Sequence, residues 1–374
     1  MIYFDSAATT LQKPEAVAAA TARAIRTLSS PGRGGYPAAM RASETVLQCR
    51  EELAALLHVP EPEQVVFTCN ATHGLNIAIK SMITRGERVL ISGYEHNAVT
   101  RVLHGCPGVE LCVARAPLFR PDLALEAFER ELAGGVDLAI CNHVSNVFGF
   151  VQPIYEIGGL CRRYGVPFIV DASQSAGILP VDFIRSQAEF MAMPGHKGLY
   201  GPQGTGVLLC RGEDCVPLLE GGTGSESINQ TMPGFLPDRL EAGTHNVAGV
   251  AGLLEGVRYV RRMGTERILR HERGLGKLLS QQLSGFPELQ VFDSETGEAQ
   301  SGVVSFRHGK MSCEELGEKL GERGVAVRTG LHCAPLAHQT AGTLETGTVR
   351  VSFSSFNRVD EVYRFTSLLE QICK

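Results

Sequence analysis

No excess of basic residues marks this sequence: 35 Lys and Arg against 40 Asp and Glu leave a formal charge of −5. Nucleic acid and anionic membrane surfaces are therefore poor partners for it. No apolar run approaches the roughly 20 residues that span a bilayer. The opening, Met-Ile-Tyr-Phe-Asp-Ser-Ala-Ala-Thr-Thr, has no basic-then-apolar layout, so a secretory signal is not expected. The 11 cysteines are odd in number and scattered, with no Cys-x-x-Cys pair. That pattern points to a reducing cytoplasm in which most of them are small core residues. Gly32-Arg33-Gly34-Gly35 is not followed by Gly-Lys-Ser/Thr, which excludes a P-loop. With 44% hydrophobic and 20% charged residues over 374 positions, what remains is an ordinary globular chain of two or three domains.

What is present centres on residues 168–206. Phe168-Ile169-Val170 reads as a buried strand that stops at Asp171, and ligands of open α/β sheets sit beyond the carboxyl ends of strands. Lys197 follows 26 positions later (197 − 171), after a short helical link, in a glycine-rich bend between the apolar runs 190–193 and 207–209. A lysine wedged between buried strands is costly as an ammonium, so its pKa should fall. That is the condition for an amine that forms Schiff bases. Pyridoxal 5'-phosphate (PLP) needs such a lysine for its aldehyde and a carboxylate for its ring nitrogen. On spacing alone, Asp171 as a helix cap and Lys197 as a surface charge account for the residues as well.

Asp-Ala-Ser-Gln-Ser-Ala-Gly from Asp171 and Gly195-His196-Lys197 resemble the class V aminotransferase family of PLP enzymes, within it the cysteine desulfurase and selenocysteine lyase branch. The resemblance runs along nearly the whole chain. It implies an α/β fold of the fold type I, aspartate aminotransferase-like kind: a large, mostly parallel-sheet domain over 16–246, a connecting helix over 247–264, and a smaller α+β domain from 1–15 and 265–374. The residue pattern agrees, since strands alternate with helices from 65 to 209 and give way to runs of strands afterwards.

Individual residues take roles in that frame. After the strand Val65–Phe67, a turn leads to a helix from about Leu75. Free N–H groups at a helix start bind phosphate, although an ordinary cap explains the same turn. In the resembled family the PLP phosphate lies here, which implies Ala71, Thr72 and His73 as its contacts, with His73 where a small polar residue is usual. Glu95-His96-Asn97 resembles the segment whose histidine stacks on the pyridine ring, and an imidazole there also suits proton transfer. By the same resemblance Asn146 and Gln174 face the ring oxygen. Phe148 and Phe150 are larger than the residues expected nearby, which puts the size of the substrate pocket in question. Pro194 stands where the branch commonly has Ser, so His196 and the helix start carry more of the phosphate. Thr244, in a Glu-x-Gly-Thr segment, matches one that reaches the neighbouring subunit's phosphate in relatives, implying a homodimer.

In the last third, a strand is expected over Val325–Arg328, and Asn357 is placed to cap the final helix. Cys333 lies in a loop with Gly330, Pro335 and nearby basic groups, where a thiol is pushed toward thiolate from its free pKa of about 8.5. The segment resembles the family's persulfide-forming loop, with Leu331 where many relatives have His. Adjacent His332 and Cys333 do not form a zinc spacing, so no metal is expected. Arg350 aligns with the family's clamp for the substrate α-carboxylate, which suits a bidentate guanidinium, and Arg328 joins it as substrate-binding. The implied activity is a cytoplasmic PLP-dependent cysteine desulfurase that converts L-cysteine to L-alanine, leaves a persulfide on Cys333 and passes sulfur to an acceptor protein. Lys197, His96 and Cys333 are the implied catalytic residues. A lyase or aminotransferase on selenocysteine or another amino acid, with Cys333 a bystander, is the alternative. A non-catalytic sulfur-carrier scaffold is a further one. A dinucleotide oxidoreductase is disfavoured, because Gly201-Pro-Gln-Gly-Thr-Gly precedes a strand rather than opening a helix.

Overall fold

The computed structural model describes residues 1–32 and 34–373; Arg33, in the glycine-rich run, lies outside the described residues. The chain begins with strand β1 (Ile2–Tyr3) and helices α1 (Glu15–Thr27) and α2 (Pro37–Leu57). Strands and helices then alternate: β2 (Val65–Thr68), α3 (Ala71–Met82), β3 (Arg88–Ser92), α4 (Asn97–His104), β4 (Glu110–Ala114), α5 (Pro121–Ala133), β5 (Leu138–Asn142), α6 (Ile154–Tyr164) and β6 (Phe168–Asp171). Strands β7 (Phe190–Pro194) and β8 (Gly206–Cys210) follow without an intervening helix; the link from 172 to 189 is a series of turns rather than the helical segment expected.

These strands form one seven-stranded sheet in the order β2-β8-β7-β6-β5-β3-β4, with only β8 running against its neighbours. Side chains alternate between its faces, as the strand period of two requires. Phe168, Val170, Met191 and Met193 pack in a core with α2, α5 and α6, while Ile169, Phe190 and Ala192 join α3 and α4 on the other side. Both faces are covered, which is why the strands read as unbroken apolar runs.

Helix α7 (Val247–Met263) packs along α1 and α2. A Cβ on Gly252 would lie 2.3 Å from Thr21 Oγ1 and one on Gly256 2.2 Å from Leu199 O, so the glycines of this helix serve close packing. Beyond it come α8 (Thr265–Leu283), β9 (Leu289–Phe292), β10 (Val303–His308), α9 (Cys313–Glu322), β11 (Val325–Ala326), β12 (Arg328–Gly330), α10 (Pro335–Ala341), β13 (Thr348–Ser352) and α11 (Val359–Cys373). A four-stranded antiparallel sheet, β12-β13-β10-β9, is packed by α8, α9 and α11. The strand expected over 325–328 is split: β11 pairs with β1, and β12 turns away to pair with β13. Ile2 and Phe4 lie in this second core, so the amino-terminal segment is built into it. Asn357 does not cap α11. Its Oδ1 accepts from Ser354 N at 2.8 Å, and its amide donates to Tyr3 O and to Glu361.

Candidate active site

Because β3, β5, β6 and β7 are parallel, their carboxyl ends share one edge of the large sheet. Each end delivers a polar residue there: His96 after β3, Asn146 after β5, Asp171 on β6, and His196 and Lys197 after β7. All of them line one cavity, together with Ala71, Thr72 and Gln174.

The two central groups are set by close backbone approach. A Cβ on Gly177 would lie 2.2 Å from Gly198 O, and one on Gly198 would lie 2.4 Å from Ala176 O. The turn after Asp171 therefore abuts the bend that holds Lys197, and side chains at these two positions would force them apart. Gly177 also has φ +81, a conformation glycine adopts without strain. Lys197 is partly buried, and its Nζ makes no hydrogen bond or ion pair among the described residues. Burial lowers its pKa to about 8, opposed in part by the charge of Asp171. Asp171 is 4% exposed; its Oδ1 accepts from Ser173 N at 2.9 Å, leaving Oδ2 uncommitted.

Helix α3 starts at Ala71, four residues earlier than the expected Leu75, so the N–H groups of Ala71 and Thr72 open into the cavity. Asn70 is its N-cap, its side chain accepting from His73 N at 2.9 Å. His73 itself turns away: its Nδ1 accepts from Cys69 N, and its ring lies in a neighbouring depression shared with Thr244. His96 caps α4, with Nδ1 accepting from Ala98 N at 3.0 Å. The proton of the neutral ring is thereby placed on Nε2. Burial lowers the pKa of His96, and lowers that of His196 to about 4.

Cys333 is exposed, in the loop between β12 and α10. His332 and Cys333 both adopt left-handed backbone, with φ 50 and 55, which reverses the chain over two residues. The loop is tied to the cavity wall: Asn97 N, next to His96, donates to Cys333 O at 2.8 Å, and Asn146 Nδ2 donates to His332 O at 2.7 Å. His332 points inward, its Nε2 facing Thr348, so the two neighbours do not present ligands to a common ion.

Arg350 does not line the cavity as an open clamp. It is 2% exposed, held by Asp5 and by the carbonyl of Asn146, and Arg328 also grips Asp5. Phe148 and Phe150 are fully buried in a separate aromatic cluster with Tyr94 and Phe292, so they do not narrow the cavity.

Two contributors went unread in the sequence. Glu95 is completely buried, its Oε1 accepting from Ser92 Oγ at 2.5 Å and Asn142 N at 2.7 Å, and burial raises its pKa to about 8. It laces the ends of β3 and β5 together. Residues 5–10 form a wall beside the bend: Gln174 Nε2 donates to Ala7 O at 2.9 Å, Thr9 Oγ1 lies 3.1 Å from His196 Nδ1, and Thr10 N donates to His196 O. The small polar run Ser6-Ala-Ala-Thr-Thr was the available signal.

The sequence pattern of the aminotransferase class-V family matches residues 2–365. The chain belongs to the class-V aminotransferase family. Within it, similar proteins include a probable cysteine desulfurase of Xylella fastidiosa, 34% identical over all of this chain and 91% of its own length. A probable cysteine desulfurase of Pyrococcus abyssi is 30% identical, covering all of this chain and 94% of the relative. Among solved structures, the apo cysteine desulfurase of Thermococcus onnurineus superposes on the whole chain, and on 94% of its own, with a TM-score of 0.90 at 31% identity. The mostly parallel sheet and the smaller sheet domain are therefore those of a class-V, fold type I enzyme.

Proposed function

We propose that this class-V enzyme is a PLP-dependent cysteine desulfurase. The observation that carries the reading is a partly buried, unpartnered Lys197 amine in one cavity with the buried Asp171 carboxylate, beside a loop that exposes Cys333. The residues fit PLP: an amine with no partner, a buried carboxylate with one oxygen uncommitted, an imidazole, and the open N–H groups of a helix start. Lys197 would join the aldehyde, Asp171 would keep the ring nitrogen protonated, and His96, Asn146 and Gln174 would face the ring. Ala71, Thr72 and His196 would take the phosphate, with the Thr9 hydroxyl beside His196 compensating for Pro194. Thr244 and His73, in the adjacent depression, fit a contact with a second copy of the chain in a homodimer. When bound, PLP supplies an electron sink for charge left at the substrate Cα.

The chain's own groups account for the rest. Arg350, closed by Asp5 but with a buried Nε left without an acceptor, would with Arg328 hold the substrate carboxylate, a positional contribution that can lower a barrier by several kcal/mol. Lys197 Nζ, unprotonated above about pH 8, takes the Cα proton. Cys333 Sγ attacks the sulfur of L-cysteine; an S–S bond forms, the Cβ–S bond breaks, and protonation at Cβ yields alanine. The terminal sulfur of the persulfide leaves on an acceptor protein, which exposure of Cys333 at the surface favours. The test is Cys333→Ala in the PLP-loaded enzyme. It should keep its visible absorption and lose persulfide and alanine formation from L-cysteine, whereas alanine formed at the original rate would point to a lyase in which Cys333 plays no part.

A further inference from the structure

The carboxylate of Asp5 is shared by both arginines assigned to the substrate. Its Oδ1 accepts from Arg350 Nη2 at 2.8 Å, while Arg328 Nε and Nη2 approach its Oδ2 at 3.0 and 2.8 Å. Arg350 Nη1 donates to Asn146 O at 2.9 Å. That leaves Arg350 Nε, buried and without an acceptor. A carboxylate approached side-on by a guanidinium uses Nε together with Nη2, and Nη2 has a second hydrogen beyond the one given to Asp5. The uncommitted edge is thus the one suited to a carboxylate, and a buried donor is costly until such an acceptor arrives.

Asp5 is not placed by its side chain alone. Ser352 N donates to Phe4 O at 2.8 Å, and Ser352 Oγ accepts from Ala7 N at 2.8 Å. Ser352 lies two residues beyond Arg350 on β13, so Asp5 and Arg350 are fixed against the same strand. Two guanidinium groups and one carboxylate leave this trio with a single positive charge.

We infer that Asp5 is a positioning residue for substrate recognition: by holding both arginines, it directs the free edge of Arg350 to the α-carboxylate of one amino acid and leaves one positive charge to match it. The inference rests on the PLP amino-acid reading above.

The test titrates the PLP-loaded enzyme with L-alanine and with ethylamine, which has an amine but no carboxylate, following the cofactor's visible absorption. Asp5→Asn should weaken L-alanine at least tenfold, about 1.4 kcal/mol, and change ethylamine by less than about twofold. For L-cysteine, KM should rise more than kcat falls. Asp5→Glu keeps the charge but moves it by a methylene; it should show the same selective loss to a smaller degree, and it decides the matter if Asp5→Asn does not fold. Equal losses for both ligands, no loss at all, or a wild-type enzyme that does not prefer L-alanine over ethylamine would overturn the inference. A wild-type enzyme that binds L-alanine but makes no alanine from L-cysteine overturns the desulfurase reading alone, and the titration still judges Asp5.

Discussion

Removing the carboxylate of Glu241 should loosen the segment that carries Thr244. Glu241 is 7% exposed and pairs with Arg50, itself 6% exposed; its Oε1 also accepts from Phe67 N at 2.6 Å, and His245 Nε2 lies 3.3 Å from Oε2. Arg50 lies over the Phe67 ring, 4.5 Å from its centroid, and donates to Val65 O. One carboxylate therefore joins α2, β2 and the segment before α7. Taking away one partner of a buried ion pair costs about 3–5 kcal/mol, because the other charge stays buried. Unfolding entropy near 2.1 cal/mol/K per residue gives about 0.8 kcal/mol/K over 374 residues, so Glu241→Ala should lower Tm by about 4–6 °C. Thermal unfolding followed by circular dichroism measures it. The pair Arg50→Met with Glu241→Leu should lose less than Glu241→Ala, since no buried charge is stranded, retaining mainly the cost of the unpaired Phe67 N–H, about 1–3 kcal/mol. A single-variant shift below about 1 °C, against this expected range, or a double variant that simply adds the two single losses, refutes the reasoning.

Two further outcomes are expected. In cofactor-free enzyme, labelling of Lys197 by an amine-selective reagent should rise through about pH 8 and level off, because burial favours the neutral amine. A rate still climbing toward about pH 10.4, the value of a free lysine, would mean that the amine is solvated. Gly198→Ala should cost about 1–3 kcal/mol through overpacking and weaken PLP retention, since its Cβ would meet Ala176 O at 2.4 Å. Tm and absorption equal to wild type would show that the turn and the bend are not held together there.

The strands of the large sheet were legible because both of its faces are covered, and near-continuous apolar runs such as Phe168–Val170 have no other economical reading. Helix α4 went unread because a histidine, rather than Ser, Thr, Asp or Asn, caps its start. Strand β4 lies at the sheet's edge and is only partly buried, so Glu110–Ala114 offers a weaker pattern. The start of α3 was placed late because Ala71-Thr-His-Gly reads as a turn until Asn70 is seen to cap it. Arg350 shows the limit most plainly. A strand arginine was visible, but its burial depends on Asp5, 345 positions away, and no local pattern carries such a pairing. The wall formed by residues 5–10 was missed for the same reason, its bonds to His196 spanning 187 and 186 positions.

That separation bears on how the enzyme is born. Chain synthesis at roughly 5–20 residues per second puts about 20 to 70 s between the appearance of Asp5 and that of Arg350. Until β11 and β13 emerge, residues 2–5 have no strand to pair with, even after the large sheet that leads to Lys197 is completed at Cys210. The pocket is then closed by a pairing across 345 positions, and truncating β13 would unseat Asp5 and the wall it anchors.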